Sequence, residues 1–233
     1  MLEVGPGPGG LTRALLAAGV KQVVAIERDK RCIPALEELS QAWPGRLRII
    51  EGDALKTDAG GQIDGPLKIV ANLPYNIGTA LLLAWLKAPE RYASLTLMFQ
   101  KEVAARLTAA PGTAHYGRLS VVTQWRCETQ RLFDISAQAF TPAPKVTSAI
   151  VQLIPRRQPL FPAEPAALER VTAAAFGQRR KMMRAAMKSL VGDPEPYLSA
   201  GGVDPRARAE TLDIEQFCAL ARALAQYETP PGQ

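Results

Sequence analysis

The chain has 233 residues, 47% apolar and 21% charged, enough to bury one large core or two unequal ones in the manner of an ordinary globular protein. No apolar run approaches the roughly 20 residues that a bilayer span needs, and the start lacks a charged segment followed by an apolar run and a small-residue cleavage site, so neither a membrane span nor a secretory signal is expected. A formal charge of +6 is compatible with a polyanionic partner, while one histidine (His115) and three scattered cysteines without a C-x-x-C pair argue against bound metal and Ser-His-Asp catalysis and favour a reducing, cytoplasmic compartment.

In chain order, MLEVGPGPGGLT predicts a strand from residue 1, a glycine turn and a helix over 11–18. Short β-branched runs at 22–26, 47–50, 67–70 and 95–99 then alternate with predicted helices at 30–42 and 78–86. Such alternation predicts βαβ units and a mostly parallel, covered α/β sheet. The apolar runs at 119–125 and 148–153 are joined through the loop TPAPKV rather than a clear helix, which predicts an antiparallel edge closing the sheet. The proline-rich run PRRQPLFPAEP at 155–165 cannot continue a strand or helix. The expected division is therefore a larger α/β domain over 1–154 and a small all-helical domain over 155–233, with helices at 165–176, 179–190 and 214–226.

Gly5, Gly7 and Gly10 satisfy G-x-G-x-x-G between a strand and a helix, where glycines permit a tight turn and close approach of the backbone to a ligand. Glu27 ends the second strand, placed to accept hydrogen bonds from ribose hydroxyls. This much fits a nicotinamide dehydrogenase as well as a methyltransferase. Glu3 shifts the balance, since a carboxylate beside the glycines disfavours a pyrophosphate and suits the ammonium of a methionine moiety. Asp53, in EGDAL after the third strand, stands where it can accept from an adenine amine; its other reading is a turn or helix cap.

Asn72-Leu73-Pro74-Tyr75 follows the fourth strand and so falls at the same carboxyl edge of the sheet. Pro74 biases Leu73 toward extended geometry, which can aim the Leu73 carbonyl outward. With the Asn72 side-chain oxygen it makes two acceptors for one NH₂ group. An aromatic amine is a poor nucleophile because its lone pair is conjugated with the ring, and two acceptors can draw its hydrogens out of plane. Tyr75 can stack on the base, so the chemistry is one of positioning.

The combination LEVGPGPGGLT, IERD, EGDAL and NLPYNI, followed by QKEVAARL, YGRLS, FTPAPKV and FGQRRKMMRAAMKSL, resembles the ribosomal RNA adenine dimethyltransferase family over nearly the whole chain and in the family's order. The resemblance implies S-adenosylmethionine as cofactor and dimethylation of the exocyclic amine of adenosine, on a Rossmann-like domain with a small helical domain attached. It implies that Gly5, Glu27, Asp53 and Asn72 contact the cofactor, that Leu73, Pro74 and Tyr75 complete the target site, and that Phe140 stacks on the flipped adenine opposite Tyr75. Independently, an aromatic before a proline-stiffened loop suits a stacking platform, a core phenylalanine being the alternative. NLPYNI and the long basic block look most like the small-subunit enzyme, which acts on two adjacent adenosines near the 3′ end of 16S ribosomal RNA; relatives acting on large-subunit RNA are a weaker match. Family members carry a Gln-Asn-Phe-Leu segment before the first strand that helps cover cofactor and base, and this chain starts at that strand, so an N-terminally truncated catalytic domain is the expectation.

Arg179, Arg180, Lys181, Arg184 and Lys188 form the densest basic block in the chain. On a helix, Arg180, Arg184 and Lys188 share a stripe beside an apolar face of Phe176, Met183, Met187 and Leu190, so that the element can dock and still offer cations to RNA phosphate. A solvated charged face is the plainer reading. The principal expectation is a monomeric dimethyltransferase of small-subunit ribosomal RNA with a role in subunit biogenesis. The alternatives are a non-catalytic RNA-binding or assembly factor that keeps the fold, and a nucleotide-dependent oxidoreductase, which would need neither Glu3 nor the NLPY turn.

Overall fold

The computed structural model describes residues 1–57, 65–141 and 143–227; Pro142 of the TPAPKV loop and the last residues of the expected helical domain lie outside the described residues. Among the described residues seven strands form one sheet: β1 Leu2–Val4, β2 Val23–Glu27, β3 Leu47–Glu51, β4 Leu67–Asn72, β5 Tyr92–Gln100, β6 Cys127–Ile135 and β7 Ser148–Pro155, in the order β3-β2-β1-β4-β5-β7-β6. Strands β1 to β5 pair in parallel and β7 runs antiparallel to β5. The order reverses between β1 and β4, and in an open sheet of this kind the crevice for ligands opens there, beyond the carboxyl ends of the strands. The glycine turn leaves β1 and the NLPY turn leaves β4, so the topology alone brings the two motifs together.

The connections are α1 Gly10–Ala17, α2 Ile33–Ala42 and α3 Gly78–Trp85. All five residues of β2 are buried, as expected of a central strand covered on both faces. Leu16 of α1 and Leu39 of α2 pack with Val23, Ala25 and Leu47 in one apolar cluster. No helix among the described residues is long and apolar enough to cross a membrane.

Packing divides the chain into a unit of Met1–Ala104 with Glu128–Arg157, and a second of Ala105–Cys127 with the described residues from Gln158 on. The step at 157/158 lies close to the expected boundary after 154, but the second unit also takes a segment from the middle of the chain. That segment corrects the sequence reading. Residues 119–125, expected as an edge strand, are helix α5 (Arg118–Arg126), which follows α4 (Lys101–Leu107); the strand is β6, beginning at Cys127. The β-branched run is overruled by its surroundings. The Gly117 amide donates to Ser120 Oγ, which donates to the Arg106 carbonyl (3.1 and 2.5 Å), Gln124 Nε2 donates to the carbonyls of Leu107 and Ala109, and Trp125 Nε1 donates to the Phe161 carbonyl at 2.8 Å. Val121 and Trp125 then enter the core formed by α6 (Pro165–Gly177), α7 (Met183–Ala186), α8 (Pro194–Ala200) and α9 (Ile214–Tyr227).

The basic block is a second correction. Residues 179–190 form no continuous helix: a turn covers 178–180, Met182 bridges to Arg208, and only Met183–Ala186 is α-helical before a 3₁₀ turn at Met187–Ser189. The amides of Met183 and Arg184 donate to the carbonyls of Ala207 and Pro205 at 2.8 and 3.0 Å. Those bonds with a distant loop replace the ones that would continue α6. The apolar side is nonetheless realised, with Met183 and Met187 fully buried.

Candidate active site

β1 ends in a turn with left-handed φ at Gly5 (68°), Gly7 (57°) and Gly9 (90°). Gly10, the third glycine of the sequence pattern, instead opens α1. Gly9 is required twice over, since its φ is costly for any other residue and an added Cβ would lie 3.0 Å from Leu39 Cδ2. The turn is tied to the second strand through Glu27, whose Oε2 accepts from the Gly7 amide at 2.8 Å while Oε1 accepts from the amides of Arg28 and Asp29 at 2.8 and 2.7 Å. A carboxylate has about four acceptor positions. Three backbone donors therefore hold Glu27 in place and leave it capacity for a ligand hydroxyl.

Glu3 is buried, and its Oε2 has no hydrogen-bond partner. Burial pushes its pKa up to about 7; the nearby Thr12 hydroxyl opposes the shift, without making a hydrogen bond of normal geometry, and the neighbouring Glu27 charge adds to it. A buried carboxyl lacking a partner is costly, and a cationic group of a ligand would relieve it. Asp53 accepts from the Leu55 amide at 3.0 Å through Oδ1, which realises the turn-capping alternative, while Oδ2 lies 4.0 Å from the guanidinium of the largely exposed Arg28.

Gly5, Glu27 and Asp53 line one cleft of about 220 Å³ together with Leu55, Pro74 and Ile77. Asn72, Leu73, Pro74, Tyr75 and Phe140 line a second, of about 240 Å³, with Met98 and Pro144. Pro74 belongs to both, and a Cβ added to Gly5 would lie 3.6 Å from its Cδ. Every residue expected at the target site is thus gathered in one pocket that shares a wall with the acid-lined cleft. A larger cavity of about 310 Å³ is lined by Leu2, Leu67, Trp85 and others, and among the described residues by no acidic one.

The NLPY turn closes on the Pro74 carbonyl, which accepts from the amides of Ile77 and Gly78 at 3.1 and 3.0 Å, so the Leu73 carbonyl takes no part in that turn's hydrogen bonds. The Leu73 side chain is buried and anchors the turn, lying 3.4 Å from where a Cβ on Gly78 would stand. Asn72 is exposed and Tyr75 partly so. The Tyr75 hydroxyl meets Ser148 Oγ at 2.6 Å, a contact across 73 residues for which the sequence carries no local signal. Phe140 follows a 3₁₀ turn capped by Ser136 and adopts an extended conformation.

In the helical unit Arg179, Arg180, Lys181, Arg184 and Lys188 are all exposed, and Arg179 Nη2 donates to the Ala114 carbonyl at 2.6 Å.

Comparisons with known proteins point to one family. Residues 1–226 match the profile of the family described as ribosomal RNA adenine dimethylase. The ribosomal RNA small subunit methyltransferase A of Rhodospirillum rubrum is 58% identical over 224 residues, which are 96% of this chain and 77% of that protein. Its counterpart in Paramagnetospirillum magneticum is 59% identical over 224 residues, 96% and 79% of the two chains. A dimethyladenosine transferase from Plasmodium falciparum superposes with a TM-score of 0.80 at 25% identity, covering 97% of this chain and 89% of that one. The 23S rRNA methyltransferase ErmE superposes with a TM-score of 0.70 at 30% identity, covering 97% and 90%. With sequence profile, relatives and solved structures in accord along almost its entire length, the chain belongs to the ribosomal RNA adenine dimethylase family.

Proposed function

We propose that the protein uses S-adenosylmethionine to dimethylate the exocyclic amines of two adjacent adenosines near the 3′ end of 16S ribosomal RNA, as a cytoplasmic monomer acting on the immature small subunit. The observation that carries the reading is the pair of clefts separated by Pro74, one lined with acids and the other with an asparagine and two aromatic rings. A small-subunit target is favoured over a large-subunit one because identity is 58–59% to the two named small-subunit methyltransferases and 30% to the 23S enzyme.

The acids fit the cofactor. Glu3 offers an unpartnered buried oxygen to the methionine ammonium, Glu27 a fixed carboxylate to the ribose hydroxyls, and Asp53 an acceptor to the adenine amine, with Gly5 and Gly7 letting backbone approach. When bound, S-adenosylmethionine supplies an electrophilic methyl group on a sulfonium. The Asn72 side-chain oxygen and the Leu73 carbonyl accept the two amine hydrogens of the target and turn its lone pair out of conjugation. After one methylation a single hydrogen remains, and one acceptor still holds it. Tyr75 and Phe140 clamp the flipped base between them, so the rate gain comes from orientation rather than from a strong base. Solvent reaching the exposed Asn72 takes the proton released in each round. Arg179, Arg180, Lys181, Arg184 and Lys188 hold RNA phosphates.

Transfer of labelled methyl groups to small subunits prepared from cells lacking this modification tests the proposal. Two methyl groups on each of two adenosines are expected; absence of incorporation in the presence of cofactor would sink it. Calorimetry with S-adenosylmethionine against NAD separates it from an oxidoreductase.

A further inference from the structure

We infer that Ser148 is a positioning residue for the target base: its buried hydroxyl tethers the phenol of Tyr75 to the strand that follows the Phe140 loop and so fixes how the two aromatic walls face each other. The inference rests on the proposal above that Tyr75 and Phe140 form the target site.

Ser148 is the first residue of β7 and is fully buried, whereas Tyr75 is 37% exposed. Their hydroxyls lie 2.6 Å apart. The serine is itself held firmly. Its Cα pairs with Gln100, the first of six consecutive partners running from Gln100↔Ser148 to Leu95↔Leu153, and the Lys101 amide donates to the adjacent Thr147 carbonyl at 2.9 Å. Tyr75 is held at its other end by the hydrogen bonds that close the turn on Pro74. With root and hydroxyl both fixed, the ring keeps only its spin about the long axis and loses its swing into solvent.

A half-exposed tyrosine without such a tether populates several rotamers, and a base must then order it at an entropic cost. A buried hydroxyl needs a partner, and here the partner is a phenol at the pocket rather than a backbone group. Ser148 opens the strand that follows the Phe140 loop, so one hydrogen bond ties Tyr75 to the strand on which that loop ends. It is made before any substrate arrives, which is where preorganisation acts.

The test compares Tyr75→Phe, Ser148→Ala and the double variant, each of which removes the same hydrogen bond while keeping an aromatic ring at 75. Each single variant should lower kcat/KM for RNA roughly threefold to tenfold, the effect of one neutral hydrogen bond, with S-adenosylmethionine affinity unchanged by calorimetry. The double variant should match the singles rather than multiply them. An RNA carrying 2-aminopurine at the target position reads stacking without turnover. Its fluorescence should be quenched by the wild type and quenched less, to equal extents, by all three variants. Multiplied losses in the double variant, or quenching as strong in Tyr75→Phe as in the wild type, would overturn the inference. Should Ser148→Ala fail to fold, Tyr75→Phe decides alone, being at a partly exposed position. A wild type that quenches but transfers no methyl group would defeat the proposed activity while the quenching still tests the tether; a wild type that does not quench defeats both.

Discussion

The two clefts that meet at Pro74 are built in opposite ways. On the glycine-turn side backbone groups hold the functional side chains: Glu27 takes three amides, Asp53 takes one, and the chain reverses through left-handed glycines that no other residue replaces without strain. On the NLPY side the walls are side chains, Leu73 and Met98 buried and Asn72 and Tyr75 exposed, and one of the two aromatics is tethered by a single hydroxyl. The contrast follows from what each must hold. A charged, polar cofactor is recognised by fixed donors and acceptors, which work only if they are in place beforehand. A nucleobase that arrives flipped out of an RNA needs a slot with flat walls and two well-aimed acceptors. If this division is right, damage on one side should appear in cofactor affinity, and damage on the other in transfer rate.

The largest effect is expected at Asn72. Asn72→Ala should lower kcat by at least about 100-fold, on the scale seen when one preorganised polar group is removed from a reacting centre. The residue is exposed, so the variant should keep its melting temperature, and full activity would remove the acceptor from the mechanism. Next comes Glu27. Glu27→Ala leaves the amides of Gly7, Arg28 and Asp29 without their acceptor, which should weaken S-adenosylmethionine binding by roughly 10- to 100-fold in calorimetry and lower stability together. A variant that lost transfer rate but bound cofactor normally would show that the two sides are not separable.

The two sides also differed in how far they could be read from the sequence. The glycine turn, Glu27, Asp53 and NLPY lie at the ends of successive parallel strands, where a local pattern and a topological rule suffice. Gly9, which the glycine pattern does not single out, is the third left-handed glycine of the turn, and its closeness to Leu36 and Leu39 comes from how α2 packs. Met98 lines the target pocket because the parallel β4–β5 pairing sets it beside Asn72, Pro144 lines it from the loop before β7, and Ser148 meets Tyr75 only because β7 pairs with β5. The largest departure was at 119–125, whose β-branched residues suit a strand until Gln124 and Trp125 find carbonyl partners on neighbouring segments. The basic block failed for the same reason, its helix being cut short where the 205–207 segment captures two amides. Local propensity was thus reliable where the sheet is regular and unreliable where long-range hydrogen bonds decide.

A smaller effect is expected far from both clefts. Arg180→Ala with Arg184→Ala removes two exposed cations, so RNA association should weaken severalfold at moderate salt and the slope of log K against log salt should fall by about 1.4 to 1.8. Since these residues do not form one helical stripe, the loss should track their number rather than their spacing, and Arg180→Ala with Lys188→Ala should behave alike. Cofactor affinity should not move in either. A filter-binding titration over salt measures the slope, and an unchanged slope would assign the block to a solvated surface.

The smallest effect at neutral pH is the most specific to the cofactor side. Glu3 has its pKa raised to about 7 by burial, so near pH 7 about half the molecules carry it protonated. If only the carboxylate receives the ammonium, protonation weakens S-adenosylmethionine binding about twofold at pH 7 and about tenfold at pH 6, and hardly at all at pH 8. Glu3→Gln should bind more weakly than the wild type at pH 8 and lose this slope. Stability should move the other way. The folded protein keeps the proton that the unfolded chain gives up near 4.5, so the wild type loses stability as pH rises from about 4.5 to about 7. Glu3→Gln has no proton to lose, and without ligand its melting temperature should exceed that of the wild type at pH 8 by more than it does at pH 5. A glutamine variant that gained no stability at pH 8 relative to pH 5 would mean that the carboxyl is not held in a costly site, and the cofactor side would then lack the strain that a cation is proposed to relieve.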